Sequence, residues 1–303
     1  MRTLRFLPII LAAACGGAAT TAVAPVSFTM PDSTSILDGA TGAPVTTGEL
    51  LRRVGGSDIV LLGEVHDNPV DHALRGSLIT AFASKHPAIV FEQFTDRDQP
   101  IPSPAAGEAK EDWLDTYGFD RRSWKWPLHQ PVVDAAIAHG RSLWGSNLSR
   151  QALRDVVMQG ESAAPEPLRE LSARAPLDSA GVAVMDAELV EGHCGQLPES
   201  MIPGMRSAQV IRDAAMTRAI MQARADGRGP VWLIAGNGHV RTDLGVPRLL
   251  RQAAPGASVL AVGLLEREAD GSAPPAAERR RYDLVIVTPK TEREDPCKEL
   301  MKN

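Results

Sequence analysis

Two segments of the same type constrain the fold of this chain more than any other feature, because each places polar side chains directly after an apolar run. Gly63-Glu64-Val65-His66 follows the run 59–62, and Gly236-Asn237-Gly238-His239 follows the run 231–235. Apolar runs of this length are typical of buried strands in a parallel sheet. Since ligands bind beyond the carboxyl ends of such strands, the two segments are predicted to meet in one cleft.

The rest of the chain alternates apolar runs with segments of helical spacing. Strands are predicted over residues 58–62, 88–91, 142–144, 231–235, 258–264 and 282–288, and helices from Asn68 and over 131–139, 149–158, 205–225 and 247–253. His193 and Cys194 could form a soft metal pair, but a loop that holds them incidentally is the preferred interpretation. Strands that alternate with helices indicate an α/β fold, with a mostly parallel sheet flanked by helices and a helical insertion between strands.

The first 35 residues have the features of an export signal and a linker. Two arginines precede an apolar run that ends in small residues before Cys15, which is typical of a bacterial lipoprotein signal peptide over residues 1–15. Ordinary cleavage near Ala14 stays open, because alanine stands where leucine is more usual three positions before the cysteine. We predict lipidation of Cys15, a flexible tether over 16–35 and a single domain over 36–303.

A lipid on Cys15 would anchor the protein to a membrane of the cell envelope, and Gly16 after it favours the outer membrane, facing the periplasm or the surface. The net charge of −5 and the scattered basic residues argue against a protein that binds nucleic acid. Cys194 and Cys297 are the other two cysteines. In an exported protein they could form a disulfide, although the sequence alone leaves their pairing open.

Four ionisable side chains at the ends of three predicted strands form the main candidate site: Glu64, His66, Glu92 and His239. Glu64 and His66 project to the same side if the strand stays extended through them, and we expect Glu92 to come from the adjacent strand. Two histidines with one or two carboxylates suit Zn, Mn, Fe or Co and leave a position for water or substrate. Without a metal, the same groups form a general acid/base cluster. A single such pair is usually a solvated strand end, so the prediction depends on the coincidence of three strand ends.

Aromatic residues supply a second candidate surface. Trp124 and Trp126 lie in a segment rich in aromatic residues, although the whole chain is only 4% aromatic. They either line the core or form a wall for a flat ligand. His72 falls on the polar side of its predicted helix and could reach the cleft, although a surface histidine is the preferred interpretation.

Six motifs, in their order along the chain, resemble those of the ChaN-like haem-binding lipoproteins. They are LLGEVHDNPVD at 61–71, FEQF at 91–94, WKWP at 124–127, WGSNLSR at 144–150, AQVIRDAAM at 208–216 and IAGNGHVRTDLGVP at 234–247. The resemblance covers roughly residues 57–289. This family is part of a wider group with the Tiki-type metal-dependent proteases and the erythromycin esterases. Those relatives use the positions that match Glu64, His66, Glu92 and His239 for metal binding or acid/base work.

The resemblance implies a lipoprotein linked to haem or iron acquisition, with haem held between the two subunits of a homodimer and a tyrosine as iron ligand. The chain holds only Tyr117 and Tyr282, and neither lies in a motif that matches that tyrosine. A histidine ligand, or a site without haem, therefore stays open. The candidate cofactor-binding residues are His66, His239, Asn147, Arg150 and Trp126.

We therefore predict an envelope lipoprotein of the ChaN-like family that binds haem or iron. The alternative is a metal-dependent hydrolase of the Tiki or erythromycin-esterase kind, in which Glu64, His66, Glu92 and His239 hold a divalent transition metal. A third interpretation is an assembly module whose cleft has lost its chemistry.

Overall fold

The computed structural model describes residues 28–294, 297 and 298. The predicted signal peptide, the lipidation site Cys15 and most of the predicted tether lie outside these residues. None of the helices in the described part of the chain is long and apolar enough to cross a membrane.

In the part of the chain that the structure describes, seven strands form a sheet at the centre of the fold. The strands are β1 (Ser35–Asp38), β2 (Ile59–Leu62), β3 (Ala88–Thr95), β4 (Ser142–Asn147), β5 (Val231–Ile234), β6 (Val259–Glu266) and β7 (Leu284–Thr288). They lie in the order β1-β7-β6-β2-β5-β3-β4, and each neighbouring pair is parallel except β1 with β7. The predicted α/β class with a mostly parallel sheet is therefore confirmed.

Helices cover both faces of this sheet. They are α1 (Thr47–Gly55), α2 (Pro69–Ala81), α3 (Lys110–Thr116), α4 (Gln130–His139), α5 (Arg150–Gln159), α6 (Glu166–Ala173), α7 (Ser179–Gly192), α8 (Ile202–Ala225), α9 (Asn237–Val240), α10 (Val246–Ala253) and α11 (Ala276–Arg279). Because side chains alternate along a strand, Val60 and Leu62 of β2 pack in the apolar layer of α2 and α4. Ile59 and Leu61 pack in the opposite layer, with α8 and α10. The predicted helical insertion is the run from α5 to α8 between β4 and β5.

The residues that predicted the start of α2 act as its cap. The Asn68 side chain accepts a hydrogen bond from the Val70 amide, and Pro69 occupies the first helical turn. The helix therefore begins directly after the loop that carries Glu64 and His66, which places its first turns beneath that loop.

Two details of the predicted organisation are wrong. β3 continues through Glu92 to Thr95, so Glu92 lies inside this strand and not after it. β3 pairs with β5 and not with β2, because β5 lies between them. The preferred interpretation of His193 and Cys194 as loop residues agrees with the structure, since α7 begins at an Asp178 cap and ends at Gly192.

A disulfide joins Cys194 to Cys297, with 5.5 Å between their Cα atoms, so the pairing that the sequence left open is formed. The segment after β7 is also held beside the loop after β2, because Arg293 pairs with Asp67 at 2.9 Å. The C-terminal part of the described chain is thereby fixed at the edge of the sheet where β2 ends.

Candidate functional site

The loop after β2 brings Glu64 and His66 into direct contact. Nδ1 of His66 lies 2.7 Å from Oε1 of Glu64. The Glu64 side chain is fully buried, whereas 52% of the His66 side chain is exposed. Two residues of α2 hold the loop, since Asp71 accepts a hydrogen bond from the Val65 amide (2.9 Å) and His72 Nε2 donates to the His66 carbonyl (3.1 Å). The exposed imidazole of His66 is therefore held in place by buried residues.

Glu64 lies in a buried polar cluster that the sequence did not predict. Arg75 pairs with Oε2 of Glu64, Gln93 donates to Oε1 at 3.1 Å, and His129 Nε2 lies 3.4 Å from Oε1. Arg75 also donates to His72 Nδ1 at 2.7 Å, which leaves Nε2 of His72 as the protonated nitrogen. Burial lowers the pKa of Arg75 to about 9 and the pKa of His129 to about 2. The prediction that His72 is a surface histidine is wrong, because it is fully buried.

Three residues of this cluster have the composition of a metal site. Ligand atoms of Glu64, His72 and His129 lie within 4.8 Å of one another. However, the Arg75 guanidinium already contacts both Glu64 and His72. A metal ion placed among them would be repelled by this buried positive charge. The cluster is therefore suited to fixing the Glu64 carboxylate against His66, and it is a poor fit to a cation.

Glu92 is the centre of a second buried polar group. Its Oε2 accepts a hydrogen bond from the Gly236 amide at 2.7 Å, while Oε1 pairs with Arg212 of α8 and lies 3.6 Å from Nε2 of His239. Burial raises the pKa of the Glu92 carboxyl, but the charges of Arg212, His239 and His66 outweigh this effect and lower the pKa to about 2. Glu92 is thus an anion at physiological pH.

His239 is held by another carboxylate, Asp213 of α8. Nδ1 of His239 lies 2.7 Å from Oδ1 of Asp213, and both side chains are buried. Burial raises the pKa of Asp213, although the hydrogen bond with His239 acts in the opposite direction. Since Nδ1 is engaged by Asp213, the imidazole is fixed in an orientation that directs Nε2 towards Glu92.

The two groups meet at Gly236. A Cβ atom at this position would lie 3.0 Å from Nε2 of His66 and 3.6 Å from Oε2 of Glu92. The structure thus brings the four predicted residues together as two histidine–carboxylate pairs, Glu64 with His66 and Glu92 with His239. Nδ1 of His66 is held by Glu64, and Nδ1 of His239 is held by Asp213. The Nε2 atom of each histidine is thereby left for a ligand or a proton. Their role as ligands or catalysts stays a prediction.

Trp124 is the aromatic neighbour of this site. Its ring lies edge-on to that of His66, with 5.0 Å between the ring centroids. Trp126 has other neighbours, since it packs against Phe119 at 5.7 Å and donates a hydrogen bond to Glu111 at 3.2 Å. Of the two tryptophans, Trp124 is the one that contacts a predicted site residue.

A cleft of about 710 Å³ opens beside Trp124. Gln93, Asn147 and Arg150 are among the residues that line it. Arg150 contacts Asp120, yet 78% of its side chain is exposed. The candidates Asn147 and Arg150 therefore lie on the Trp124 side of the site.

Both tyrosines are engaged elsewhere. Tyr282 is buried and donates its hydroxyl to the Asn237 carbonyl at 3.3 Å, and burial raises the pKa of this hydroxyl. Tyr117 packs against Trp113 and lies 5.1 Å from the guanidinium of Arg97. The histidines are therefore better candidates for an iron ligand than either tyrosine.

Sequence reasoning missed the residues that surround the two glutamates: Arg75, His129, Arg212 and Asp213. A signal for some of them is present. Asp71, His72 and Arg75 fall within about one helical turn directly after the G-E-x-H segment. Charged side chains on a helix that is buried on several sides need partners of opposite charge or hydrogen-bonding partners. For Arg75 the nearest predicted partner is Glu64.

The fold and the two histidine–carboxylate groups define an α/β protein with a polar site at the carboxyl edge of a parallel sheet. The chain belongs to the family described as haem-binding uptake, Tiki superfamily, ChaN, whose sequence model matches residues 50–250. The resemblance seen in the six motifs is thereby confirmed.

Two solved structures are similar to this chain, and the first of them shares its fold. ChaN of Campylobacter jejuni, described with cofacial haem binding, is 17% identical with a TM-score of 0.62, and the match covers 84% of this chain and 96% of that one. An erythromycin esterase mutant in its open conformation is 14% identical with a TM-score of 0.46, and the match covers 87% of this chain and 99% of that one. No curated protein matches the chain.

Proposed function

We propose that this protein binds haem at the cell envelope and serves haem or iron acquisition, with His66 as the iron ligand. The proposal is carried by the geometry of His66. Its Nδ1 atom is held by the buried Glu64, and its Nε2 atom makes no hydrogen bond with the residues that the structure describes. Histidines that ligate metals usually donate their other N–H group to a carboxylate or carbonyl in this way. Membership of a haem-binding family supports the same ligand.

The surroundings of His66 fit a flat ligand with two carboxylates. Trp124 supplies an aromatic edge, and the cleft extends from it. Propionates need cationic partners, and Arg150 and Lys125 are exposed cations on this side, with 78% and 62% of their side chains accessible. Bound haem would supply an iron that the His66 imidazole could ligate.

Replacing His66 with alanine is expected to lower haem affinity by at least about tenfold, because the ligating imidazole nitrogen is lost. Haem is titrated into the purified protein and followed by the Soret band and by tryptophan emission. His139→Ala is the matched control, since His139 ends α4 and lines a different cavity, with Phe28 and Pro131. An unchanged spectrum and affinity in His66→Ala would contradict the proposal. Sedimentation of the haem-loaded protein tests in parallel whether two copies share the ligand.

A hydrolase is the second candidate, and the array of Asp213, His239 and Glu92 favours it. A carboxylate that fixes one imidazole nitrogen leaves the other to act as a general base. A metal-dependent form of this candidate, with Nε2 of His66 and of His239 and with Glu92 as ligands, would require Arg212 to release Glu92 first, because the guanidinium charge would repel the ion. Elemental analysis and an ester-hydrolysis assay test this candidate, with activity expected to be lost in His239→Ala. Protein that holds no stoichiometric metal and hydrolyses no ester would exclude it.

The envelope location rests on the sequence before the described residues. The disulfide between Cys194 and Cys297 supports an oxidising compartment. We expect the wild-type protein to fractionate with membranes and Cys15→Ser to stay unprocessed or become soluble. Identical processing and fractionation of the two proteins would show that Cys15 carries no anchor.

A further inference from the structure

A separate cavity of about 150 Å³ lies next to His239, between α7, α8 and the turn after β5. Met185, Leu189 and Leu244 give it an apolar side. Asp213 and His239 lie on its polar side. All five side chains are buried, so the cavity has fixed walls and is distinct from the open cleft beside Trp124.

The charged groups around this cavity are already paired. Arg241 contacts Glu188 at 2.6 Å and Asp243 at 2.6 Å, and Asp213 is bonded to His239 at 2.7 Å. An anionic ligand would meet the carboxylates of Glu188 and Asp213, whereas a cationic ligand would meet the Arg241 guanidinium. Neither would find an unpaired opposite charge, so the lining favours a neutral ligand.

We propose that this cavity binds a compact neutral ring with one polar substituent, with the ring against Met185, Leu189 and Leu244 and the substituent towards His239. A cavity of about 150 Å³ with apolar walls accommodates a benzene-sized molecule. Gln209, which is half-buried in the lining, offers a second hydrogen-bonding group. The proposal goes beyond haem binding and does not depend on it, because neither Trp124 nor Arg150 lines this cavity.

The entrance is marked by Gly238. This residue lines the cavity and is exposed, and a Cβ atom placed on it would meet no atom within 4 Å. Alanine at this position therefore fits without a contact, whereas phenylalanine would extend its ring across the entrance. Comparison of Gly238→Ala with Gly238→Phe therefore distinguishes the effect of blocking the cavity from the effect of losing the glycine.

Phenol is the probe for this site. We expect phenol to bind with a dissociation constant on the order of 1 mM and to shift the NMR signal of the His239 ring, assigned by its loss in His239→Gln. Benzoate of the same ring size should bind at least about tenfold more weakly, because its charge is not matched. Gly238→Ala should bind phenol as the wild type does, and Gly238→Phe should lose binding.

Leu189→Trp fills the cavity from the opposite wall and should also lose phenol binding, which provides a second variant if Gly238→Phe does not fold. Circular dichroism establishes that each variant is folded. Absence of a phenol-dependent shift at His239, equal binding of benzoate, or unchanged phenol binding in a folded filled variant would overturn the proposal. The Soret titration of wild-type protein is scored separately, so failure of this site and failure of haem binding are distinguishable.

Discussion

Replacing Arg75 with methionine is expected to lower the free energy of unfolding by about 3–5 kcal/mol, because it leaves Glu64 as a buried carboxylate without its cation. Both side chains have no exposed surface, and Arg75 also donates a hydrogen bond to His72. The hydrogen-bonding partners of Glu64 that remain are His66, Gln93 and His129, and none of them carries the permanent charge of a guanidinium. Urea unfolding followed by circular dichroism measures the change.

A surface arginine provides the matched control for Arg75. Arg52 pairs with Glu49 on α1, but 71% of its side chain is exposed, so Arg52→Met should leave the urea midpoint unchanged within error. The double variant Glu64→Gln, Arg75→Met should recover a large part of the loss, since it removes both charges together. If Arg75→Met unfolds at the same urea concentration as the wild type, Arg75 does not compensate Glu64.

Gly236→Ala is expected to weaken ligand binding at His66 and His239 by about 10- to 100-fold, with little change in the free energy of unfolding. The added Cβ would lie 2.7 Å from Cε1 of His66, a distance that forces the ring to move. The backbone is not the obstacle, because φ is −65° and ψ is 153° at Gly236, which any residue adopts. Since His66 is half exposed, its side chain can swing outward, and its hydrogen bond to Glu64 is then lost.

Gly238→Ala is the matched control. Gly238 lies two residues further along the same segment, and a Cβ atom added there meets no atom within 4 Å, so the variant should bind haem or metal as the wild type does. Haem and metal titrations of the two variants give the comparison, and urea unfolding gives their stability. Equal affinities of Gly236→Ala and Gly238→Ala would mean that His66 does not need its observed position.

The convergence of Glu64, His66, Glu92 and His239 could be predicted because it depends on short-range patterns. An apolar run followed by a polar segment marks the carboxyl end of a buried strand, and parallel strands end at the same edge. The order of the strands could not be predicted in this way. β5 lies between β2 and β3, so Glu92 meets His239 and the Gly236 amide, although its nearest neighbour along the chain is the segment of Glu64.

The arginines were missed because a helical pattern separates polar from apolar positions but does not show which polar positions are buried. On α2, Asp71, His72 and Arg75 fall on the side that a surface helix would expose, yet all three are buried. Their burial follows from packing against the loop after β2 and against α4, which are long-range contacts. The sequence therefore predicts the histidines and carboxylates of the site, and the groups that balance their charge appear only in the folded chain.

The disulfide has a consequence for proteolysis. The ring closed by Cys194 and Cys297 contains α8, β5 and the exposed segment 268–273, where a protease has ready access. A single cut in that segment would leave two fragments that remain covalently joined, and β7 of the second fragment would still be paired on both sides by strands of the first. Such a nicked molecule would keep Asp213, His239 and Glu92 in their relative positions. Its cleavage would become visible on a denaturing gel only after the disulfide is reduced.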